Sequence, residues 1–213
     1  MQKEMENQKR TVTKIENLDK HRRKIWVNQE EVLVLYKGEV EQFQLSEDVE
    51  IGESDYQIII QEILPKRAKK RCLYLLQRRP YTEQNLRDKL KEGFYPEGII
   101  EEAIAYVKSF HYLDDYEYAC QYIFYRKEKE SRKKMEDKLI AKGISFEILE
   151  RAFEASYQSE DEQIAIEYQQ AQKLLEKKQY QADKADWQEK QKVYAFLVRK
   201  GIASQVIRKA MDL

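Results

Sequence analysis

The stretch "LKEGFYPEGIIEEAI" (Leu90 to Ile104) is echoed 49 positions later by "LIAKGISFEILERAF" (Leu139 to Phe153), and a third version follows around Leu197. With Leu90, Leu139 and Leu197 in one column, the apolar residues four positions earlier are Leu86, Met135 and Val193. Nine positions later stand Ile99, Ile148 and Val206, then Ile100, Leu149 and Ile207. Next come Ala103, Ala152 and Ala210, and then Ile104, Phe153 and Met211. A glycine follows the leucine by three or four residues each time: Gly93, Gly143 and Gly201. Recurrence at this period is the mark of a helical repeat, in which each copy is one supersecondary unit and neighbours complete its core. The leucine, its partner one turn earlier and the aliphatic-xxx-alanine pattern supply the core faces of two helices that meet across the glycine turn. The alanine lets them approach closely.

The rest of the chain fits around that unit. "TVTKIEN", "RRKIWVN" and "EVLVLY" are short, rich in β-branched and aromatic residues, and separated by polar breaks, which predicts three strands with a hairpin at Asn28-Gln29. "GEVEQFQL" and "SDYQIIIQEIL" read as short linking helices. The helical section then begins at Pro65, a residue that suits a first turn, and Ala68, Cys72, Leu75 and Leu76 form one apolar stripe. Pro80 stops that helix, Thr82 caps the next, Gly93 supplies the left-handed residue that ends it, and a third runs from about Pro96 to Phe110. Asp114 and Glu117 form a capping box that starts the second copy. The copies lie 49 and 58 residues apart, and the nine extra residues fall in "LLEKKQYQADKADWQEKQ", which points to longer helices there. The predicted fold is mostly α: an elongated array of three three-helix repeats with a small three-stranded N-terminal extension. Its parts are a disordered lead-in (1–10), a β-rich extension (11–64) and repeats over 65–113, 114–160 and 161–213. The extension either caps the open apolar end of the array or adds a contact to a partner.

Several chemistries are not written in this chain. The pattern holds no phosphate-binding glycine loop, no dinucleotide fingerprint and no nucleophile elbow. Cys72 and Cys120 lack CxxC spacing and read as buried thiols, and His21 and His111 as surface or packing residues. No enzyme activity, cofactor or metal is therefore expected. The longest apolar runs, "VLVLY" and "III", are far short of the roughly 20 residues a membrane-crossing helix needs. The opening "MQKEMENQKR" lacks the apolar core of a secretion signal, so a cytoplasmic protein is expected.

Charge placement carries more. Lys and Arg number 39, as do Asp and Glu, yet the signs are segregated. Pro65 to Glu92 holds ten bases and three acids, and Glu97 to Glu117 six acids and one base. Arg126 to Lys142 holds eight bases and four acids, and Glu147 to Glu167 seven acids and one base. Lys173 to Lys209 returns to ten bases and four acids. Each repeat thus pairs a basic first half with a mostly acidic third helix. Stacked repeats would then present stripes of opposite sign, suited to a charged, extended, repeating partner such as a protein filament on nucleic acid.

At "YLLQRRPYTEQNLRDKLKEGF", "FHYLDDYEYACQYI" and "DKLIAKGISFEIL" the chain resembles the bacterial RecX family, the regulatory proteins of the RecA recombinase. The likeness covers about residues 11 to 213 and includes the "TVTKIE" opening and the "IWVN" strand of versions that carry an amino-terminal extension. It departs from the family in "EKESRKKMEDKL", where a frequent glycine is missing. The resemblance implies a regulator that lies in the groove of the RecA filament on single-stranded DNA, hinders its extension and promotes its shrinkage. Strand exchange and the RecA-stimulated repressor cleavage of the SOS response are thereby damped. Single-stranded DNA would be met mainly through the filament, direct DNA contact would be weak, and the protein would act as a monomer. The residues placed to meet acidic filament surface or DNA phosphates are Arg78, Arg79, Lys89, Arg126, Lys133, Lys134, Lys138, Arg199 and Lys200. The competing reading is a stand-alone DNA-binding protein of helix-turn-helix type.

Overall fold

The computed structural model describes residues 9–213, so most of the predicted lead-in, residues 1–8, lies outside the described residues. Strands β1 (Val12–Asn17), β2 (Arg22–Val27) and β3 (Glu31–Tyr36) form an antiparallel sheet in that order. Ile25 pairs with Ile15 on one side and Leu33 on the other, and Ile25 and Leu33 are fully buried. The β2–β3 turn has positive φ at Asn28 and Gln29 (50° and 65°), with Glu30 N–H bonded to Val27 O at 3.2 Å. That is the primed turn whose twist matches a hairpin, built without glycine. Asparagine tolerates this backbone, and its carboxamide is anchored on both sides. It accepts from Thr11 N–H at 2.9 Å and donates to Lys9 O at 3.0 Å.

Helix α1 (Lys37–Gln42) follows, then α2 (Glu53–Ile58), a π turn (Ile59–Ile63) and α3 (Leu64–Arg78). The helical section therefore does not begin at Pro65; the chain is already helical from Glu53 and passes straight through the proline. Leu64 N–H bonds to Ile59 O, five residues back. The wider turn shifts the ladder by one residue just before Pro65, which has no N–H to give.

Sheet and first helices share one core. Val12, Ile25, Leu33 and Leu35 belong to the same buried cluster as Ile59, Leu64, Ala68, Cys72, Leu86, Leu90 and Ile100. Arg67 on α3 ties the layers together. It donates to Val34 O at 2.9 Å and to the Glu39 carboxylate at 2.6 Å. The chain divides into two compact units between Leu113 and Asp114, and the sheet belongs to the first.

In that unit α3 is joined by α4 (Glu83–Lys91) and α5 (Glu97–Ser109). The second unit holds α6 (Asp115–Arg126), α7 (Arg132–Ile140), α8 (Phe146–Ser156), α9 (Glu160–Lys177), α10 (Trp187–Arg199) and α11 (Ser204–Met211). Thr82 caps α4, accepting from Asn85 N–H, and Asp114 caps α6, accepting from Tyr116 and Glu117 N–H. Every apolar column residue is buried except Ile148, which packs half-buried against its cluster. Cys72 is buried and Cys120 half-buried. The extra residues of the last repeat lengthen α9 and α10 and form the loop between them.

The turn after each column leucine needs correction in the first repeat. Tyr95, Ile144 and Ile202 each donate back to the leucine carbonyl five residues earlier, the closing bond of a Schellman turn. The left-handed residue is always the fourth after the leucine: Gly143 (φ 85°), Gly201 (φ 82°) and, in the first repeat, Phe94 (φ 59°). Gly93, expected to be the left-handed residue that ends α4, is one place too early for the role. Gly93 instead clears space, since a Cβ there would meet the Tyr95 ring at 2.9 Å. A non-glycine residue in the left-handed region costs about 1 kcal/mol or more.

The second and third modules keep separate apolar clusters, one around Met135, Leu139, Leu149 and Phe153 and one around Leu175, Leu197, Ile207 and Met211. What joins them is polar. Gln170 donates to Lys127 O (2.7 Å) and Glu130 O (3.1 Å), which ties the α6–α7 turn. Arg132 likewise donates across the joint to Gln163 at 3.2 Å, while within the third module buried Glu167 accepts from Ala203 N–H at 3.0 Å and so ties α9 to the start of α11.

Candidate binding surface

The nine basic residues read from the sequence are distributed over both units. In the first, Arg78 and Arg79 are exposed where α3 ends. Their guanidinium carbons lie 4.4 Å and 4.6 Å from the ring centroids of Tyr74 and Tyr81. Lys89 is paired with Glu92 at 2.6 Å. In the second, Lys133 pairs with Asp137 at 2.9 Å, while Arg126 and Lys138 both reach Glu130, at 3.3 Å and 2.6 Å. Lys134, Arg199 and Lys200 are exposed and make no direct ion pair with a carboxylate among the described residues, though the charge of Lys134 acts on nearby Glu130.

The segregation of charge has an internal use. In the first unit the basic helices meet the acidic third helix: Lys69 with Glu102 (2.6 Å), Lys91 with Glu97 (3.3 Å), and Arg87 forked onto Glu101. In the second, Arg132 bonds Glu136 (2.8 Å) and Glu150 (2.7 Å). These cations are largely neutralised at home. Exposed pairs of this kind add only about 0–1 kcal/mol each, so their effect is chiefly on which charges remain for a partner.

In the second unit, unpaired cations gather in one groove. Lys129 and Lys134 from the α6–α7 region, Lys173 and Lys177 from α9, and Lys200 after α10 line a concavity of about 400 Å³, with Leu174 and Ile202 beside them. Lys173 and Lys177 are one turn apart, so they share a face of α9. Glu128 and Glu130 oppose them. Burial raises the pKa of Glu130, but the Lys138 hydrogen bond and the charges of Lys138, Lys134 and Arg126 outweigh it and hold the carboxyl below its ordinary value. It stays ionised and serves its own cations, which leaves the groove positive.

The structure thus brings together Lys134 and Lys200 of the sequence-predicted set and adds Lys129, Lys173 and Lys177. The two on α9 lie just before the inserted loop, outside the columns that aligned the repeats; their i, i+4 spacing was the available signal. Ammonium groups on flexible stems suit a carboxylate- or phosphate-bearing surface without demanding one planar geometry. Among the described residues no three His, Cys, Asp or Glu side chains are grouped to hold a metal ion. Among the same residues no helix is long and apolar enough to cross a membrane.

Comparison with known proteins agrees with this architecture. Residues 68–107 match the family model of the first three-helix domain of RecX, and residues 165–211 that of the third. The regulatory protein RecX of Caldanaerobacter subterraneus subsp. tengcongensis is 32% identical over 173 residues, covering 79% of this chain and 81% of that protein. The regulatory protein RecX of Clostridium perfringens (strain SM101) is 33% identical over 173 residues, covering 79% and 76%. A crystal structure of regulatory protein RecX superposes with a TM-score of 0.63 at 23% identity over 96% of this chain and 100% of its own. That of RecX from Lactobacillus salivarius gives 0.60 at 20% identity, over 70% and 96%.

Proposed function

Because this chain belongs to the RecX family, whose relatives are named regulatory proteins, we propose that it is a non-enzymatic cytoplasmic inhibitor of the RecA recombinase. It binds in the groove of the RecA filament on single-stranded DNA, limits the filament's extension, and so damps recombination and SOS activation. The observation that carries this reading is the lysine groove of the second unit, where five ammonium groups converge on one concavity. Such a surface complements the acidic and phosphate groups of a nucleoprotein filament. Arg78, Arg79 and Arg199 add exposed positive charge elsewhere on the chain. Several weak contacts on linked modules act at high effective concentration, so losing one costs little and losing several costs binding steeply.

The direct experiment is ATP turnover by RecA on single-stranded DNA. Slowing at amounts of this protein well below one per recombinase supports a filament-directed inhibitor, and no slowing at equimolar amounts refutes it. Reversing Arg78, Lys134 and Arg199 to Glu together, with the fold intact, is expected to weaken filament binding; unchanged binding removes the electrostatic assignment. A gel shift without RecA addresses the helix-turn-helix alternative, which requires tight, sequence-dependent binding of duplex DNA.

A further inference from the structure

The first unit contains a second positive concavity, of about 630 Å³, where the sheet meets α3 and the end of α4. Its lining differs in kind from the lysine groove because aromatic rings stand among the cations. Arg67, Lys70, Arg71 and Tyr74 follow at i, i+3, i+4 and i+7 and all line it, so one face of α3 forms one wall. Phe94 and Tyr95 enter from the turn after α4, and Tyr36 from the end of β3. We propose that this groove takes one or two nucleotides of a single nucleic-acid strand, bound directly and without the recombinase.

Charge is the first support. Of the cations that line the groove, Arg22 is paired with Asp19 (2.7 Å), Lys89 with Glu92 (2.6 Å) and Arg67 with Glu39 (2.6 Å). Lys70 and Arg71 are exposed and have no carboxylate partner among the described residues. Two unmatched cations on adjacent residues are what a short run of phosphodiesters would neutralise.

The rings are the second. Tyr36 and Tyr74 are 46% and 44% exposed although large and aromatic. Each is braced by a guanidinium, Arg67 at 4.4 Å from the Tyr36 centroid and Arg78 at 4.4 Å from that of Tyr74. Lys24 stands 4.2 Å from the centroid of Phe94. Rings among cations form a stacking platform that suits the flat faces of bases.

Phe94 is the third support, and it is independent of charge. Its backbone is left-handed, the conformation that glycine fills at Gly143 and Gly201 in the other two modules. The first module alone departs from glycine there, and the side chain so placed lines the groove. Among the eight described non-glycine residues with positive φ, Phe94 is the one aliphatic or phenyl side chain, the others being Asn, Gln, Asp or His, and such strain clusters at functional sites.

The test uses the full chain and a labelled oligothymidylate of about eight nucleotides, followed by fluorescence anisotropy with no RecA present. Saturable binding is expected, with log affinity falling against log salt at a slope of about −1 to −2, as for two or so neutralised phosphates. Phe94→Gly is expected to keep the wild-type thermal midpoint, because relaxed backbone offsets lost ring contact, and to weaken binding about tenfold. Lys70→Glu with Arg71→Glu, on the exposed side of α3, is expected to weaken it at least as much. If Phe94→Gly unfolds, Phe94→Asn, which tolerates the same backbone, and the charge variant decide the question. The proposal is overturned by absent binding, by variants that bind within about twofold of wild type, or by polyglutamate displacing the oligonucleotide as well as unlabelled oligothymidylate does. Because RecA is absent, failure here leaves the filament reading standing.

Discussion

The hydroxyl of Ser131, at the N-cap of α7, donates to the carbonyl oxygen of Lys200 at 2.8 Å, joining residues 69 positions apart. The next residue, Gly201, is left-handed at φ 82°, and a Cβ on it would lie 2.5 Å from the Ser131 Oγ. One glycine therefore serves two purposes, ending α10 and letting the second and third modules close on each other. Gly201→Ala should destabilise the protein by about 2 kcal/mol, combining left-handed strain with a displaced hydrogen bond. Gly98→Ala is the contrast. It lies within α5 with nothing within 4 Å of an added Cβ, so it should stabilise by up to about 1 kcal/mol. Urea unfolding followed by circular dichroism measures both, and equal effects would contradict this account of the joint.

Glu167, on α9 and bonded to Ala203 at the start of α11, makes the packing of the third module sensitive to pH. Only 9% of it is exposed, and burial pushes its pKa above the ordinary 4.5 despite the Ala203 N–H and the charge of Arg132. A carboxyl whose folded pKa is raised contributes stability that is fully present below pH 4.5 and is lost as pH rises through the folded value. Glu167→Gln keeps an oxygen to accept from Ala203 and removes the buried charge. The variant should be more stable than wild type at pH 7, with the difference shrinking as pH falls toward 4.5. Urea midpoints across that range provide the check; a variant less stable at pH 7 would show that the ionised carboxylate is needed.

Paired and unpaired cations should behave differently toward a filament. Lys134→Glu, Lys173→Glu and Lys200→Glu together reverse charge where no carboxylate already holds it. Lys89→Glu, Lys133→Glu and Lys138→Glu reverse cations already committed to Glu92, Asp137 and Glu130. Against RecA filaments at low salt, the first set should lose about tenfold or more in affinity and the second markedly less. The gap should narrow as salt rises. Similar losses from both sets would mean that local pairing does not decide which lysines are available.

Much of this architecture could be read from the sequence because its apolar spacing is strict. Leu86, Leu90, Ile100 and Ala103 recur at fixed offsets, and such columns become buried faces whatever surrounds them. The basic groove was harder to read for the opposite reason. Lys134 was visible in a basic run, but its availability depends on Asp137 choosing Lys133 and Glu130 choosing Arg126 and Lys138, choices made only when helices pack. Lys173 and Lys177 lie where the period breaks. The turn after α4 is hidden because Gly93 is the usual sign of a left-handed residue, whereas the backbone places that conformation one residue later, at Phe94.

The sheet provides the last prediction. Val12, Ile25, Leu33 and Leu35 share a buried cluster with Ile59, Leu64 and Ala68, and Arg67 bonds both Val34 O and Glu39. Removing residues 1 to 60 would take away that apolar cover and both partners of a guanidinium that is only partly exposed. Contiguous apolar surface left open in this way binds other copies, and an unpartnered charge near it adds a desolvation penalty. The truncated chain should therefore bind the dye ANS strongly and elute from size exclusion as aggregate, whereas the full chain does neither. A truncated protein that is monodisperse, cooperative in unfolding and dark to ANS would mean that α3–α5 close their own core. The sheet would then serve a partner rather than the fold.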